Sequence, residues 1–355
     1  MQQVIMWIMA AGAVIGGLDR IFGNRLRLGE KFEEGFRLLG PIALSMAGIL
    51  CLAPLLADGV RWLAAPLCAA IGLDASVFAG ILAIDMGGYP MAMELAQDVQ
   101  TGAFSGIVIA AIFGCTITFT IPVGMGMLEG EDRGFFARGI LFGLITMPAA
   151  LLAGGLMCGL SAGRTLWQLT PILLLSAVLL IGVWKWTEQT IRAFTWFAAA
   201  IKTIITLGLI AGAVQYMTGL SLVPGLAPLE EAMAVVASIG MVLLGSLPAA
   251  ELLRRALKKP LDLLGSKIGL NSVSMAGFLM TPVSVLPTLA LFKEMDRRGK
   301  IANVAAAVCS TSMISAHLAY TLAEEPSVLG ALLTTKFAGA VLGAALALWA
   351  TRKEA

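Results

Sequence analysis

The chain has 355 residues, 59% of them apolar and 13% charged, with a mean hydropathy of +0.91 and a formal net charge of +2. A soluble globular domain carries about 25% charged residues, so a soluble enzyme or binding module is excluded and the chain belongs in a lipid bilayer. The small net charge says little about partners.

Apolar stretches long enough to cross about 30 Å of hydrocarbon, roughly 17 to 25 residues each, follow one another with short polar joints. They predict one all-α integral membrane domain over 1–355. Residues 1–14 are apolar without a positive segment ahead of them, which reads as a retained first helix rather than a cleaved signal. Full spans are expected at about 3–18, 38–57, 104–128, 139–160, 169–184, 193–215, 233–250, 301–323 and 328–350, nine in all. Two further apolar segments, 75–96 and 273–292, are interrupted halfway by glycine or proline. Cys51, Cys68, Cys115, Cys158 and Cys309 sit singly in apolar runs without CxxC spacing, so packing is expected of them, with no metal and no cofactor.

The interrupted segments are copies of one another. Residues 71–90 (IGLDASVFAGILAIDMGGYP) and 268–287 (IGLNSVSMAGFLMTPVSVLP) share seven of twenty positions without a gap, 197 residues apart, where composition alone gives roughly two. Pro54 and Pro66 match Pro248 and Pro260 at a spacing of 194, so the relation extends upstream. Repeat 1 is taken as about 36–160, repeat 2 as about 232–350, with connecting helices at about 169–215. If both interrupted segments enter and leave on one side, 20 Lys and Arg fall inside and only Arg61 and Arg164 outside, with Lys202 and Lys336 left within spans. If both cross fully, the split becomes 12 against 10, which abandons the bias that sets orientation. Two re-entrant hairpins in inverted-topology repeats are therefore expected, with the C-terminus cytoplasmic. Duplicated halves carrying broken hydrophobic segments point to a secondary transporter.

A chain reversal inside a bilayer exposes backbone groups, tolerated only where protein or a water-filled cavity satisfies them. The tips thus line the expected site. The first reads Asp85-Met86-Gly87-Gly88-Tyr89-Pro90, where Gly87 and Gly88 permit close backbone approach and Pro90 suits the first turn of the returning limb. The second runs from Pro282 through Ser284 to Pro287 and carries no charge. Asp85 needs a cation, because an intramembrane carboxylate costs about 2.5 to 3.5 kcal/mol on insertion scales. That cation is either the substrate or a buried lysine, Lys202 or Lys336. Tyr89 offers a ring face to an ammonium or else packs. His317, the one histidine, stands at the repeat offset from Thr120, and Ser312 and Ser315 stand at that offset from Cys115 and Thr118. These polar stripes supply hydroxyl and imidazole hydrogen bonds to a solute, or bond to backbone and do nothing more. Glu94 and the Glu33–Glu34 pair read as solvated or locally paired carboxylates. No GxxxxGK[ST], HExxH or GxSxG occurs, nor any basic and aromatic interleaving for nucleic acid. No enzyme is expected.

In Phe32-Glu33-Glu34-Gly35-Phe36, Leu52-Ala53-Pro54, Asp85-Met86-Gly87-Gly88, Ile121-Pro122-Val123, Leu222-Val223-Pro224-Gly225-Leu226, Met295-Asp296, Arg298-Gly299-Lys300, His317-Leu318 and Lys336, the chain resembles the ethanolamine permease family of ethanolamine utilisation operons (EutH-like). The resemblance implies uptake of ethanolamine, a small ammonium alcohol, across the bacterial cytoplasmic (inner) membrane. Such a substrate suits Asp85 for the ammonium and the hydroxyls or His317 for the alcohol. By analogy with other hairpin-bearing carriers, alternating access with an elevator-like motion in a homo-oligomer is expected, as facilitated diffusion. The alternatives are an ion-coupled carrier of another small amine, a carrier of a small organic anion held by Lys202 and Lys336, a membrane enzyme using His317 as base, and a non-transporting sensor or scaffold.

Overall fold

Backbone groups in lipid must be satisfied within their own segment, which leaves the helix as the default for so apolar a chain. The computed structural model describes residues 2–82 and 88–354, all helix and connecting turns with no strand among them. The helices are α1 (Gln2–Ile21), α2 (Gly29–Arg37), α3 (Leu39–Leu63), α4 (Ala65–Ala70), α5 (Ser76–Leu82), α6 (Gly88–Leu95), α7 (Val99–Met127), α8 (Glu131–Met157) and α9 (Ala162–Gln168). There follow α10 (Thr170–Lys185), α11 (Thr187–Thr218), α12 (Leu229–Ile268), α13 (Ser272–Met280), α14 (Val285–Ala290), α15 (Arg297–Ser310), α16 (Ala316–Glu324) and α17 (Leu329–Ala350). Seven are long and apolar enough to cross a membrane, or eight if α9 and α10, bent by 49°, count as one.

One expected span is not a continuous helix. The segment predicted at 301–323 is broken at Thr311–Ser315 into α15 and α16. Ser310, Thr311, Ser312 and Ser315 cluster there, and short hydroxyl side chains compete with helical backbone bonds. Ser312 is left-handed (φ 58°), a conformation uncommon outside glycine. The limbs α13 and α14 have 9 and 6 residues, shorter than the ten expected because caps and the turn between them take the remainder. These two limbs pack on each other, as do α5 and α6.

Two groups of helices pack tightly. In the first, α8, α15 and α17 touch mutually, and a Cβ at Gly343 of α17 would stand 2.6 Å from the Ala305 carbonyl of α15. Lys300 of α15 is paired there with Asp132 of α8 at 2.6 Å. In the second, α12 packs on α1, α2 and α3, and α3 packs on α11. A Cβ at Gly245 would lie 1.9 Å from Met9 O; small residues let membrane helices approach at backbone distance. At about 1.5 Å per residue, the 40 residues of α12 run about 60 Å, twice the hydrocarbon thickness. Its charged stretch from Glu251 onward lies beyond its apolar half.

The two sequence-related segments carry matching local chemistry. Asp98 caps α7 by accepting from Thr101 N–H, and Asp296 caps α15 by accepting from Gly299 N–H. Asp74 accepts from Ser76 N–H, and Asn271 from Ser274 N–H. Pro90 and Pro287 are each the third residue of a returning limb. Each pair of positions differs by 197 or 198 residues.

Candidate functional site

Two irregular pieces of backbone meet in the interior and satisfy each other. The turn between α13 and α14, Thr281–Ser284, presents carbonyls that no helix uses. The break between α15 and α16 presents free N–H groups. Ser312 N–H donates to Thr281 O (3.4 Å) and Ile314 N–H to Pro282 O (2.9 Å). Ser315, buried, donates its Oγ–H to Val283 O at 2.5 Å. Within the turn the hydroxyls of Thr281 and Thr288 lie 2.9 Å apart and both reach Gly277 O, which ties the two limbs together. Ser284 caps α14 by accepting from Leu286 N–H at 3.3 Å.

Lys336 of α17 is fully buried, and its ammonium donates to Ala111 O (2.8 Å), Cys309 O (3.1 Å) and Thr311 O (2.9 Å). Two of these carbonyls end α15, where a helix concentrates negative partial charge. The third lies in α7, which is π-helical over Phe104–Gly114 and Thr116–Thr120; such bulges release carbonyls from the regular ladder and gather at functional sites. Thr116 adds a second tie, donating to Val308 O at 3.0 Å. His317, 1% exposed, sets its Nδ1 3.0 Å from Thr311 O. A carbonyl only accepts, so Nδ1 carries hydrogen.

The expected site residues divide accordingly. Ser284, Ser315, His317 and Lys336 gather around the turn and the break. Thr118 bonds back to Gly114 O (2.9 Å), and Thr120 is buried with its hydroxyl unpartnered. Gly88 is buried at the start of α6. Tyr89 turns its hydroxyl elsewhere, donating to Glu325 Oε2 at 2.9 Å. Asp85 and Gly87 lie outside the described residues. Lys202 is exposed on α11 and makes no ion pair among the described residues. In an all-apolar helix, sequence places a residue within the span but not on a given face.

Sequence reasoning missed Thr116, Thr281, Thr288, Thr311 and Glu325. The cluster Ser310-Thr311-Ser312 was the available signal for the break, and Glu324-Glu325-Pro326 for the turn into α17. A cavity of about 430 Å³ opens beside the turn, lined by Ser284 and Pro287 and by Glu30, Glu251, Arg254 and Arg255. Glu251 accepts from Arg254 through two bonds of 2.7 Å and from Arg255 through one of 2.7 Å. Outside the spans, burial alone would push the Asp98 carboxyl up, but hydrogen bonds from Thr101 and the Arg164 guanidinium outweigh it and hold the group below the usual range.

Interrupted helices around a buried polar centre, with a charged cavity leading to it, define a multi-pass membrane protein of the solute-carrier kind. The chain belongs to the EutH family of ethanolamine utilisation proteins, whose family model matches residues 1–350. It is 37% identical over 348 residues to "Probable ethanolamine permease EutH" of Listeria monocytogenes serotype 1/2a (strain 10403S), covering 98% of this chain and 93% of that one. It is 40% identical over 350 residues to "Uncharacterized protein YxeR" of Bacillus subtilis (strain 168), covering 98% and 95%. To "Probable ethanolamine permease EutH" of Escherichia coli (strain K12) it is 33% identical over 391 aligned positions, covering 99% and 96%. No solved structure is a significant match.

Proposed function

We propose that this chain is a permease for ethanolamine in the bacterial cytoplasmic membrane, a transporter and not an enzyme. The observation that carries the reading is the interlock of the α13–α14 turn with the α15–α16 break, a buried polar centre of the kind that carriers build from discontinuous helices. The names of the relatives supply the substrate.

In this reading α5/α6 and α13/α14 are re-entrant hairpins from opposite faces, and α15 with α16 makes the ninth crossing as a broken helix. The halves are then inverted repeats, and the C-terminus is cytoplasmic. The matched caps Asp98/Asp296 and Asp74/Asn271 support the duplication. Asp85, at the first tip with Gly87 and Gly88, holds the ammonium, while Ser284, Thr118, Thr120 and His317 face the alcohol end. The group α8, α15 and α17 moves as the transport block against α1, α2, α3, α11 and α12 in a homo-oligomer, and flux is facilitated diffusion. The anion-carrier alternative loses support, because Lys202 is exposed and the Lys336 ammonium is engaged by backbone carbonyls.

Radiolabelled ethanolamine flux into proteoliposomes tests the function, with choline, a dicarboxylate and an imposed pH gradient as controls. Saturable ethanolamine entry is expected; entry of the dicarboxylate alone would overturn the reading. Cysteine accessibility tests the topology: residues 97–103 belong outside and 252–259 in the cytoplasm.

A further inference from the structure

Two carboxylates stand at the far end of α16, Glu324 in its last turn and Glu325 at its C-cap, with no ion pair to either among the described residues. Glu325 is engaged, accepting from Tyr89 Oη (2.9 Å) and from Ser327 Oγ (2.5 Å). Glu324, half-buried, makes neither a hydrogen bond nor an ion pair among the described residues. One helical turn earlier on the same face stands Tyr320, 3% exposed, whose hydroxyl has no hydrogen-bond partner among the described residues. Tyr320 and Glu324 stand four residues apart on α16, and Tyr89 meets the end of that helix through Glu325. A buried hydroxyl left unmatched is destabilising for the fold, so packing alone does not explain its presence.

The arrangement has a direction. His317, Tyr320, Thr321 and Glu324 fall at helical spacing on one face of α16, whereas Leu318 and Leu322 pack toward Ile5, Met9 and Val242. The polar face therefore leads from the buried break, where His317 sits, to the end of α16, which the proposed topology places outside.

We infer that Glu324, Tyr320 and Tyr89 form an outer cation-binding site that takes the ammonium group of the substrate before it reaches the centre. Glu324 supplies the charge and Tyr320 Oη a second acceptor for an ammonium proton. Tyr89, held by Glu325, presents an aromatic wall. The inference rests on the transport reading and adds a second recognition point to it.

The test is the half-saturating ethanolamine concentration for uptake into proteoliposomes, measured beside thermal stability for wild type, Glu324→Gln, Glu324→Asp and Tyr320→Phe. Glu324→Gln should raise it about fivefold, Tyr320→Phe about threefold, and Glu324→Asp less than about twofold. Tyr320→Phe is the decisive variant, because loss of an unmatched buried hydroxyl leaves stability equal or higher while a ligand role still weakens uptake. It also carries the test should Glu324→Gln fail to fold. A wild type that transports beside a Tyr320→Phe variant of unchanged half-saturation overturns the outer site alone. A wild type without ethanolamine flux overturns the transport reading and the outer site together.

Discussion

Lys336 Nζ and His317 Nδ1 converge on one oxygen, the carbonyl of Thr311, from 2.9 and 3.0 Å. A carbonyl has two lone pairs and each donor takes one. The first carbonyl of the break is thus doubly anchored, by a residue of α17 and by the first turn of α16.

Replacing His317 separates its two nitrogens. Asparagine places an amide N–H where Nδ1 stands, so His317→Asn should keep thermal stability to within about 1 kcal/mol, and His317→Ala should lose about that much. If the imidazole also serves the substrate, both variants lose uptake although only one loses stability. Melting of the purified protein and flux in vesicles read the two effects apart.

Lys336→Met keeps the volume and removes the charge. The Ala111 and Cys309 carbonyls lose the ammonium, while Thr311 O keeps His317 Nδ1; at about 1 to 3 kcal/mol for each group left unsatisfied, the variant should lose much of its folded yield and its monodispersity in detergent. A well-folded Lys336→Met protein would show that other groups hold the ends of α15 and the π-helical part of α7.

The pair Asp98 and Arg164 gives a pH dependence of definite sign. The folded carboxyl is held below its ordinary value, about 3.9, so its stabilising contribution is present above that value and is lost as pH falls through the lower, folded one. Melting temperature recorded from pH 6 down to about pH 3 should fall at the acid end in wild type. The acid-end fall should be shallower in Asp98→Asn, which should also melt lower at neutral pH.

Asp85→Asn should abolish ethanolamine binding and uptake while leaving the melting temperature within a few degrees. Equilibrium binding of labelled ethanolamine to purified protein distinguishes this from a carboxylate that only balances charge. Retained binding removes Asp85 from the site.

The sequence was most legible where one physical rule acts alone. Hydropathy located the seven helices that are long and apolar enough to cross a membrane among the described residues, and the repeated proline and glycine positions marked the segments where short helices replace long ones. Pro90 and Pro287 sit in the first turns of α6 and α14 because a missing N–H is harmless there. The break at Thr311–Ser315 was hidden, because Met313, Ile314 and Ala316 keep local hydropathy high while the hydroxyls and Ser312 redirect the backbone. The π-helical run of α7 was equally hidden, so the repeat offset pairs Thr120 with His317 in sequence while Thr120 makes no hydrogen bond and His317 anchors the break. Which way Lys202 faces and which carboxylate Tyr89 meets depend on packing between distant segments. Periodicity within one segment carries no trace of either.

The bonds joining Thr281, Pro282 and Val283 to Ser312, Ile314 and Ser315 decide what kind of gate this half of the molecule can have. A flap that swung out alone would strip three carbonyls and their donors bare in an oily interior, at several kcal/mol for every stroke. The tip must instead travel with the helix it is stitched to. In the proposed topology this turn faces the cytoplasm, and on that reading the door opens by displacement of a whole block: a crosslink between that block and α12 should jam it while leaving the binding pocket whole.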